Sequence, residues 1–90
     1  MAAYSILIKA SAGRELERLA TRSGRARIVE RTQALADDPR PHGREKLAGY
    51  LDHCRIRQGN YRVVYLIDDH RREITVFEVG DRKNVYRWVV

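Results

Sequence analysis

The stretch that most constrains the fold is residues 61–68, Y-R-V-V-Y-L-I-D, because both of its alternating sets of positions are apolar. Successive side chains of a strand point to opposite faces, so each set lines one face. A strand that is apolar on both faces has to be covered on both faces, and we therefore expect it at the centre of a sheet. The two sets are Val63, Tyr65 and Ile67 on one face, and Val64 and Leu66 on the other.

Partner strands for this segment lie directly before and after it. Residues 50–57 alternate between two faces, and the turn residues 58–60 connect them to the central strand. After a second turn at 69–72, residues 73–79 supply the last strand, which Gly80 is expected to end. The final residues, 81–90, are predicted to form a short helical turn or an extended tail.

The first third of the chain predicts a strand followed by two helices. Residues 4–9 are short, apolar and rich in β-branched side chains, which favours a strand. Ser11 is a plausible N-cap for a helix over residues 12–22, where apolar residues recur at helical spacing.

A second helix is predicted to follow a break at Ser23 and Gly24, and to run over residues 25–36. The prolines in 37–41 end it, and 42–49 form a polar connector. We therefore predict one α+β domain spanning residues 1–90, in the order β-α-α-β-β-β. An N-terminal strand and a helical hairpin precede an antiparallel sheet of three further strands.

Charge narrows the function. The formal net charge is +6, and 15 of the 18 basic residues are arginine. The excess favours an acidic partner, which leaves nucleic acid, an anionic membrane surface or an acidic protein. The guanidinium forms a rigid donor fork that suits phosphate and carboxylate.

Other site classes are disfavoured by composition. Cys54 is the single cysteine, so an intramolecular disulfide is excluded, and the histidines at 42, 53 and 70 show no metal-ligand spacing. We expect neither a metal nor a cofactor. The N-terminal apolar run is too short for a signal peptide and no stretch approaches a membrane span, so a cytoplasmic protein without membrane contact is expected.

The first predicted hairpin contains arginines whose spacing indicates an anion-binding site. Alternation puts Arg55 and Arg57 on one face of their strand. A three-residue loop over 58–60 would put Arg62 on the opposite face, whereas a four-residue loop over 58–61 pairs it with Arg57. Three adjacent cations repel one another unless they hold an anion. We predict the shared face.

Several segments resemble the RelE/ParE superfamily of bacterial and archaeal toxins across nearly the whole chain. They are R-I-R-Q-G-N-Y-R-V-V-Y-L-I-D-D and I-T-V-F-E-V-G-D-R-K-N-V-Y-R, preceded by D-D-P-R-P and K-L-A-G. The resemblance implies either of two activities. RelE-like members cut messenger RNA in the decoding site of the ribosome, and ParE-like members inhibit DNA gyrase through protein binding. A basic domain that binds RNA without cutting it is a third alternative.

The resemblance implies a catalytic set, and the filled basic positions favour the RNA-cleaving branch. Where the family often has lysine on the strand, this chain has Arg55 and Arg57, which puts a lysine-type base in doubt because arginine does not lose its proton. Lys46, His53 and Lys83 are further candidates for substrate binding. The implied catalytic residues are Arg55, Arg57, Arg62, Arg82 and Tyr86.

The chemistry requires in-line attack of the RNA 2′-hydroxyl on a phosphate, so no protein nucleophile or metal is needed. Arg62 and Arg82 are assigned to the scissile phosphate, Arg55 and Arg57 to positioning and charge stabilisation, and Tyr86 to the 2′-hydroxyl. The resemblance also implies a cognate RelB-like antitoxin that covers the basic face, and a complex that binds its own promoter DNA through the antitoxin.

Overall fold

In a computed structural model of the 90-residue chain, residues 3–18, 21–47 and 53–81 are described. Two helices and five strands form in this part of the chain. The elements are β1 (Ser5–Ile8), α1 (Ala10–Glu17), α2 (Arg22–Ala34), β2 (Glu45–Lys46), β3 (His53–Gln58), β4 (Tyr61–Asp68) and β5 (Glu73–Asp81).

The strands form one sheet in the order β1-β5-β4-β3-β2. Neighbours pair antiparallel from β2 to β5, whereas β1 runs parallel to β5, with Ser5 opposite Glu73. The predicted α+β order is confirmed, and β4 lies at the centre as its two apolar faces indicated. The sheet also gains the two-residue strand β2, from residues that the sequence assigned to a connector.

The helices cover one face of the sheet. Ala12 of α1 and Ile28 of α2 pack into a core with Tyr65 of β4, and all three are at most 1% exposed. Cys54 also belongs to this core at 2% exposure, as expected of a small apolar residue. On the other face Val64 is buried against Leu47 in a separate small cluster.

Both predicted helix starts were wrong. Lys9 is the N-cap of α1, so Ser11 lies inside the helix. Helix α2 begins at Arg22 because the Thr21 side chain accepts a hydrogen bond from the Gly24 amide at 3.0 Å, which caps the helix. Ser23 and Gly24 therefore lie in its first turn and do not break the chain.

The connector after α2 is tied to the end of the sheet. The Tyr65 hydroxyl donates to the Pro39 carbonyl at 2.8 Å, and burial raises the pKa of this phenol. At the surface Arg40 donates to both carboxylate oxygens of Asp69, at 3.2 and 2.8 Å, and the Tyr4 hydroxyl donates to the same carboxylate.

Strand β5 continues through Gly80, contrary to the prediction, and ends at Asp81. Gly80 lies opposite Arg62. A glycine within a strand often marks a close approach of another group, because it has no side chain to fill the space. Among the described residues, neither helix has the length and apolar character that crossing a membrane requires.

Candidate anion-binding face

The hairpin of β3 and β4 sets the geometry of the predicted site. Its turn consists of Gly59 and Asn60, and Gly59 has a φ of 62°, which suits a glycine at the first turn position. Arg57 consequently lies opposite Arg62, and Arg55 lies opposite Val64. Residues directly opposite each other in a sheet share a face, so the register predicted for the three arginines is confirmed.

This arginine face, formed by Arg55, Arg57 and Arg62, lies on the side of the sheet away from the two helices. The neighbouring positions Cys54, Ile56 and Val63 point into the helix-covered core. Strand alternation thus separates the apolar and cationic halves of the same hairpin.

Arg62 is the most deeply placed of the three cations. It is 4% exposed, and its Nη1 donates to the Tyr61 carbonyl at 3.3 Å. Its Nε is buried and has no hydrogen-bond acceptor among the described residues. A buried guanidinium is costly unless its donors and charge are matched, so this position is suited to an anion.

Arg55 is matched within the chain. Its Nη2 donates to Glu45 Oε2 at 2.7 Å, across the register of β2 and β3. This hydrogen bond lowers the pKa of Glu45, and the charges of Arg55, Arg57 and Arg62 lower it further, against the opposing effect of burial. The pKa of Glu45 is therefore lowered by all three residues of the arginine face. Of the three arginines, Arg57 is exposed.

The other predicted substrate contacts divide between the faces. His53 lies on the arginine side, with its ring centroid 5.7 Å from that of Phe77, over which Lys9 Nζ sits at 4.8 Å. Lys46 pairs with Cys54, so alternation puts it on the helix side and the structure does not bring it to the arginines.

Glu78 was missed by the sequence reasoning. It lies on β5 opposite Val64, diagonally from Arg62, and is 1% exposed. The available signal was a lone carboxylate within the apolar run V-F-E-V of a predicted strand. The arginine face thus has a buried acidic side chain beside it.

Three predicted residues, Arg82, Lys83 and Tyr86, lie outside the described part of the chain. Within residues 3–18, 21–47 and 53–81, no three His, Cys, Asp or Glu side chains are grouped so as to hold a metal ion. The arrangement of the described side chains suits an anion: one buried and one exposed guanidinium belong to residues that lie opposite each other on adjacent strands.

Comparison with known proteins assigns this architecture to a class of toxin. A family model described as the ParE toxin of the type II toxin–antitoxin system parDE matches residues 6–86. Toxin RelE of Mycobacterium tuberculosis is 32% identical over 87 residues, covering 93% of this chain and 87% of the relative.

Solved structures agree with the sequence matches. An arginine-substituted variant of Escherichia coli toxin RelE in the free state has a TM-score of 0.80 and 26% identity, over 99% of this chain and 95% of its own. A chain of the toxin–antitoxin complex RelBE2 from M. tuberculosis has a TM-score of 0.75 and 28% identity, over 89% and 99%. The fold is thus that of small type II toxins. The chain belongs to the RelE/ParE toxin superfamily.

Proposed function

We propose that this toxin is a ribosome-dependent endoribonuclease that cuts messenger RNA in the decoding site and so stops translation. The observation that carries the proposal is the pair Arg57 and Arg62, two guanidinium groups held opposite each other with the buried one short of an acceptor among the described residues. Like charges in this position are unfavourable for the fold alone, and a phosphodiester would relieve the repulsion.

In the proposed reaction the RNA 2′-oxygen attacks the adjacent phosphorus and the bond to the 5′-oxygen breaks, which leaves a 2′,3′-cyclic phosphate and a 5′-hydroxyl. Arg62, joined by Arg82, holds the non-bridging oxygens as negative charge builds on them. Arg57 is free to position the phosphate, whereas Arg55 acts mainly as a fixed positive charge because Glu45 engages it.

We assign proton transfer to groups other than the arginines, because a guanidinium keeps its proton at neutral pH. Tyr86 orients the 2′-hydroxyl in this proposal. The attacking group belongs to the RNA, so the chain needs neither a metal-bound water nor a nucleophile of its own.

The proposed partner in the resting state is a RelB-like antitoxin. Solved relatives at 25–28% identity are RelE–RelB complexes, from M. tuberculosis, E. coli and Pyrococcus horikoshii. An antitoxin with an acidic segment would complement the net charge of +6 and block the arginine face. Promoter binding by the pair would then reside in the antitoxin.

The second candidate function is inhibition of DNA gyrase, favoured by the ParE description of the matching family model. It predicts protein binding without RNA cleavage.

One experiment separates the two. Purified toxin is added to a translation extract, and messenger ends are mapped by primer extension beside a gyrase supercoiling assay. We expect ribosome-dependent cuts with the wild type and at least a roughly hundred-fold loss with Arg62→Ala or Arg82→Ala, the magnitude typical of losing an oxyanion-stabilising donor. Gyrase inhibition without any messenger cuts would refute the nuclease proposal.

A further inference from the structure

A second basic surface lies on the opposite side of the β3–β4 hairpin from the arginine face. A shallow depression of about 310 Å³ is lined by Arg27, Glu30, Arg31 and Gln58. We call it the α2 surface. It joins one side of helix α2 to the end of β3, on the helix-covered side of the sheet.

Hydrogen bonds to β3 hold the α2 surface in place without pairing its arginines with a carboxylate of the described residues. Arg31 Nη1 donates to the Arg57 carbonyl at 3.2 Å and to Gln58 Oε1 at 3.3 Å. These bonds fix the guanidinium through Nη1, while Nη2 and Nε donate to none of the described residues. Arg27, four residues earlier, is exposed on the same side of the helix. Neither arginine forms an ion pair with a carboxylate in the described part of the chain.

The charge pattern of α2 is unfavourable for a helix that serves folding only. The first turn contains Arg22 and Arg25 and no acidic residue. A helix N-terminus favours negative charge, so cations there reduce stability. Arg25 is explained structurally, since its Nη1 donates to the Glu17 carbonyl near the end of α1 at 3.1 Å. Arg31 is likewise held by its bonds to the Arg57 carbonyl and to Gln58, whereas Arg27 forms no side-chain hydrogen bond to the described residues.

The lining of the α2 surface indicates the kind of partner. Interfaces with proteins have an apolar, often aromatic centre, whereas interfaces with nucleic acid are polar and strongly positive. The side chains lining this depression are all polar. By contrast, the cavity of about 220 Å³ between β1, α1 and α2 is apolar, which is typical of a site that binds protein. Ile6, Leu16 and Ile28 help to line it.

We propose that the α2 surface binds the phosphate backbone of RNA at a second position, separate from the scissile phosphate. This inference rests on the proposed function, in which the toxin works on an RNA-rich particle. Arg27 and Arg31 supply sequence-independent phosphate contacts, and the hairpin tip couples them to Arg57. Two separated contacts would fix the orientation of the toxin on its substrate.

The test is the salt dependence of RNA binding. A labelled 20-nucleotide single-stranded RNA is titrated with toxin, without ribosomes, at several KCl concentrations, and anisotropy gives the dissociation constants. The variant Arg27→Gln/Arg31→Gln should lower the slope of log affinity against log salt by about 1.4, or about 0.7 for each phosphate contact. We expect an affinity loss on the order of ten-fold near 100 mM KCl.

The matched control is Arg14→Gln/Arg18→Gln, which removes the same charge from exposed positions of α1 and its C-cap. It should leave the slope within about 0.3 of the wild type. Circular dichroism checks the fold, and Arg27→Gln alone, which removes no side-chain hydrogen bond to the described residues, keeps the test valid if the double variant unfolds. A polyglutamate peptide of equal length serves as the acidic-protein probe.

Equal slopes for the two double variants, or a loss confined to polyglutamate binding, would overturn the RNA assignment. The two proposals fail separately. Messenger cutting by the wild type together with unchanged RNA binding by the α2 variant rejects only the second surface. Absence of cutting by the wild type, with the expected slope change, rejects only the nuclease.

Discussion

Arg57 and Arg62 lie directly opposite each other on β3 and β4, on the face of the sheet that the helices leave open. Their Cβ atoms are therefore about 5 Å apart, a separation at which two like charges destabilise a sheet. The pair therefore opposes folding stability while it favours anion binding.

The first prediction follows from this opposition. Arg57→Gln should raise the melting temperature by about 1–8 °C at low salt, because a like-charge pair costs roughly 0.2–1 kcal/mol. The same variant should bind RNA more weakly. Scanning calorimetry measures the shift, with Arg14→Gln as the control for loss of one charge. A lower melting temperature for Arg57→Gln would contradict the assigned repulsion.

A second prediction concerns Glu45, which forms an ion pair with Arg55. Glu45→Gln keeps the shape of the side chain and removes one negative charge beside Arg55, so the affinity for a labelled RNA should increase. The salt slope should steepen by up to about 0.7, one additional phosphate contact. Glu17→Gln changes the net charge equally at an exposed position of α1, outside the arginine face and the α2 surface, so the two variants can be compared directly. An unchanged Glu45→Gln slope would show that Arg55 does not contact the backbone.

The same carboxylate predicts a pH dependence. Its pKa in the folded protein lies below the ordinary value of 4.5, mainly because of the Arg55 hydrogen bond. The ion pair therefore contributes to stability above about pH 4.5, and the contribution is lost as the pH falls through the lowered pKa. Urea unfolding between pH 3 and 6 should show a shallower acid decline for Glu45→Gln than for the wild type. Parallel curves would argue against the ion pair in solution.

The third prediction compares alanine substitutions at two glycines that lie within helices, Gly13 and Gly24. Alanine is the better helix former by about 0.5–1 kcal/mol, and a Cβ at Gly13 meets no atom within 4 Å. A Cβ at Gly24 would lie 2.7 Å from the Thr21 Oγ1 that caps α2. Gly13→Ala should therefore raise the melting temperature, whereas Gly24→Ala should give no gain because it displaces the cap. Equal gains in a thermal melt would refute the assigned cap.

The fourth prediction concerns the buried phenol. Tyr65→Phe removes the donor to the Pro39 carbonyl and should cost about 1 kcal/mol, or roughly 4–8 °C in melting temperature. Tyr4→Phe removes an exposed phenol–carboxylate bond to Asp69 and should cost less. Comparing the two variants separates the effect of burying the hydroxyl from the effect of losing a hydrogen bond. Equal losses of stability would mean that the connector is not anchored through Tyr65.

The sequence predicted the parts of the fold that depend on local patterns. The two-sided apolar run placed β4 at the centre, and the expectation that the three arginines share a face to hold an anion selected the correct hairpin register. Its errors came from competing local signals: Ser11 suits a helix start and Ser23 with Gly24 suits a break, but the helix caps are at Lys9 and Thr21.

Contacts between distant segments were not predictable in the same way. The parallel pairing of β1 with β5 joins residues far apart in the chain. Neither strand has a sequence feature that identifies the strand it pairs with. The two-residue strand β2 is too short for a periodicity, so the Glu45–Arg55 ion pair was not specified. Arg31 has an ordinary helical position, and only the packing of α2 brings it to the Arg57 carbonyl.

The parallel pairing of β1 with β5 also determines when the toxin can become complete during its own synthesis. The first strand to be made has to wait for Glu73 and the residues after it before it can pair. Pairings of such high sequence separation form late, after the intervening chain is available. A nascent chain would accordingly lack a finished sheet, and with it the complete toxin fold, until β5 has been synthesised.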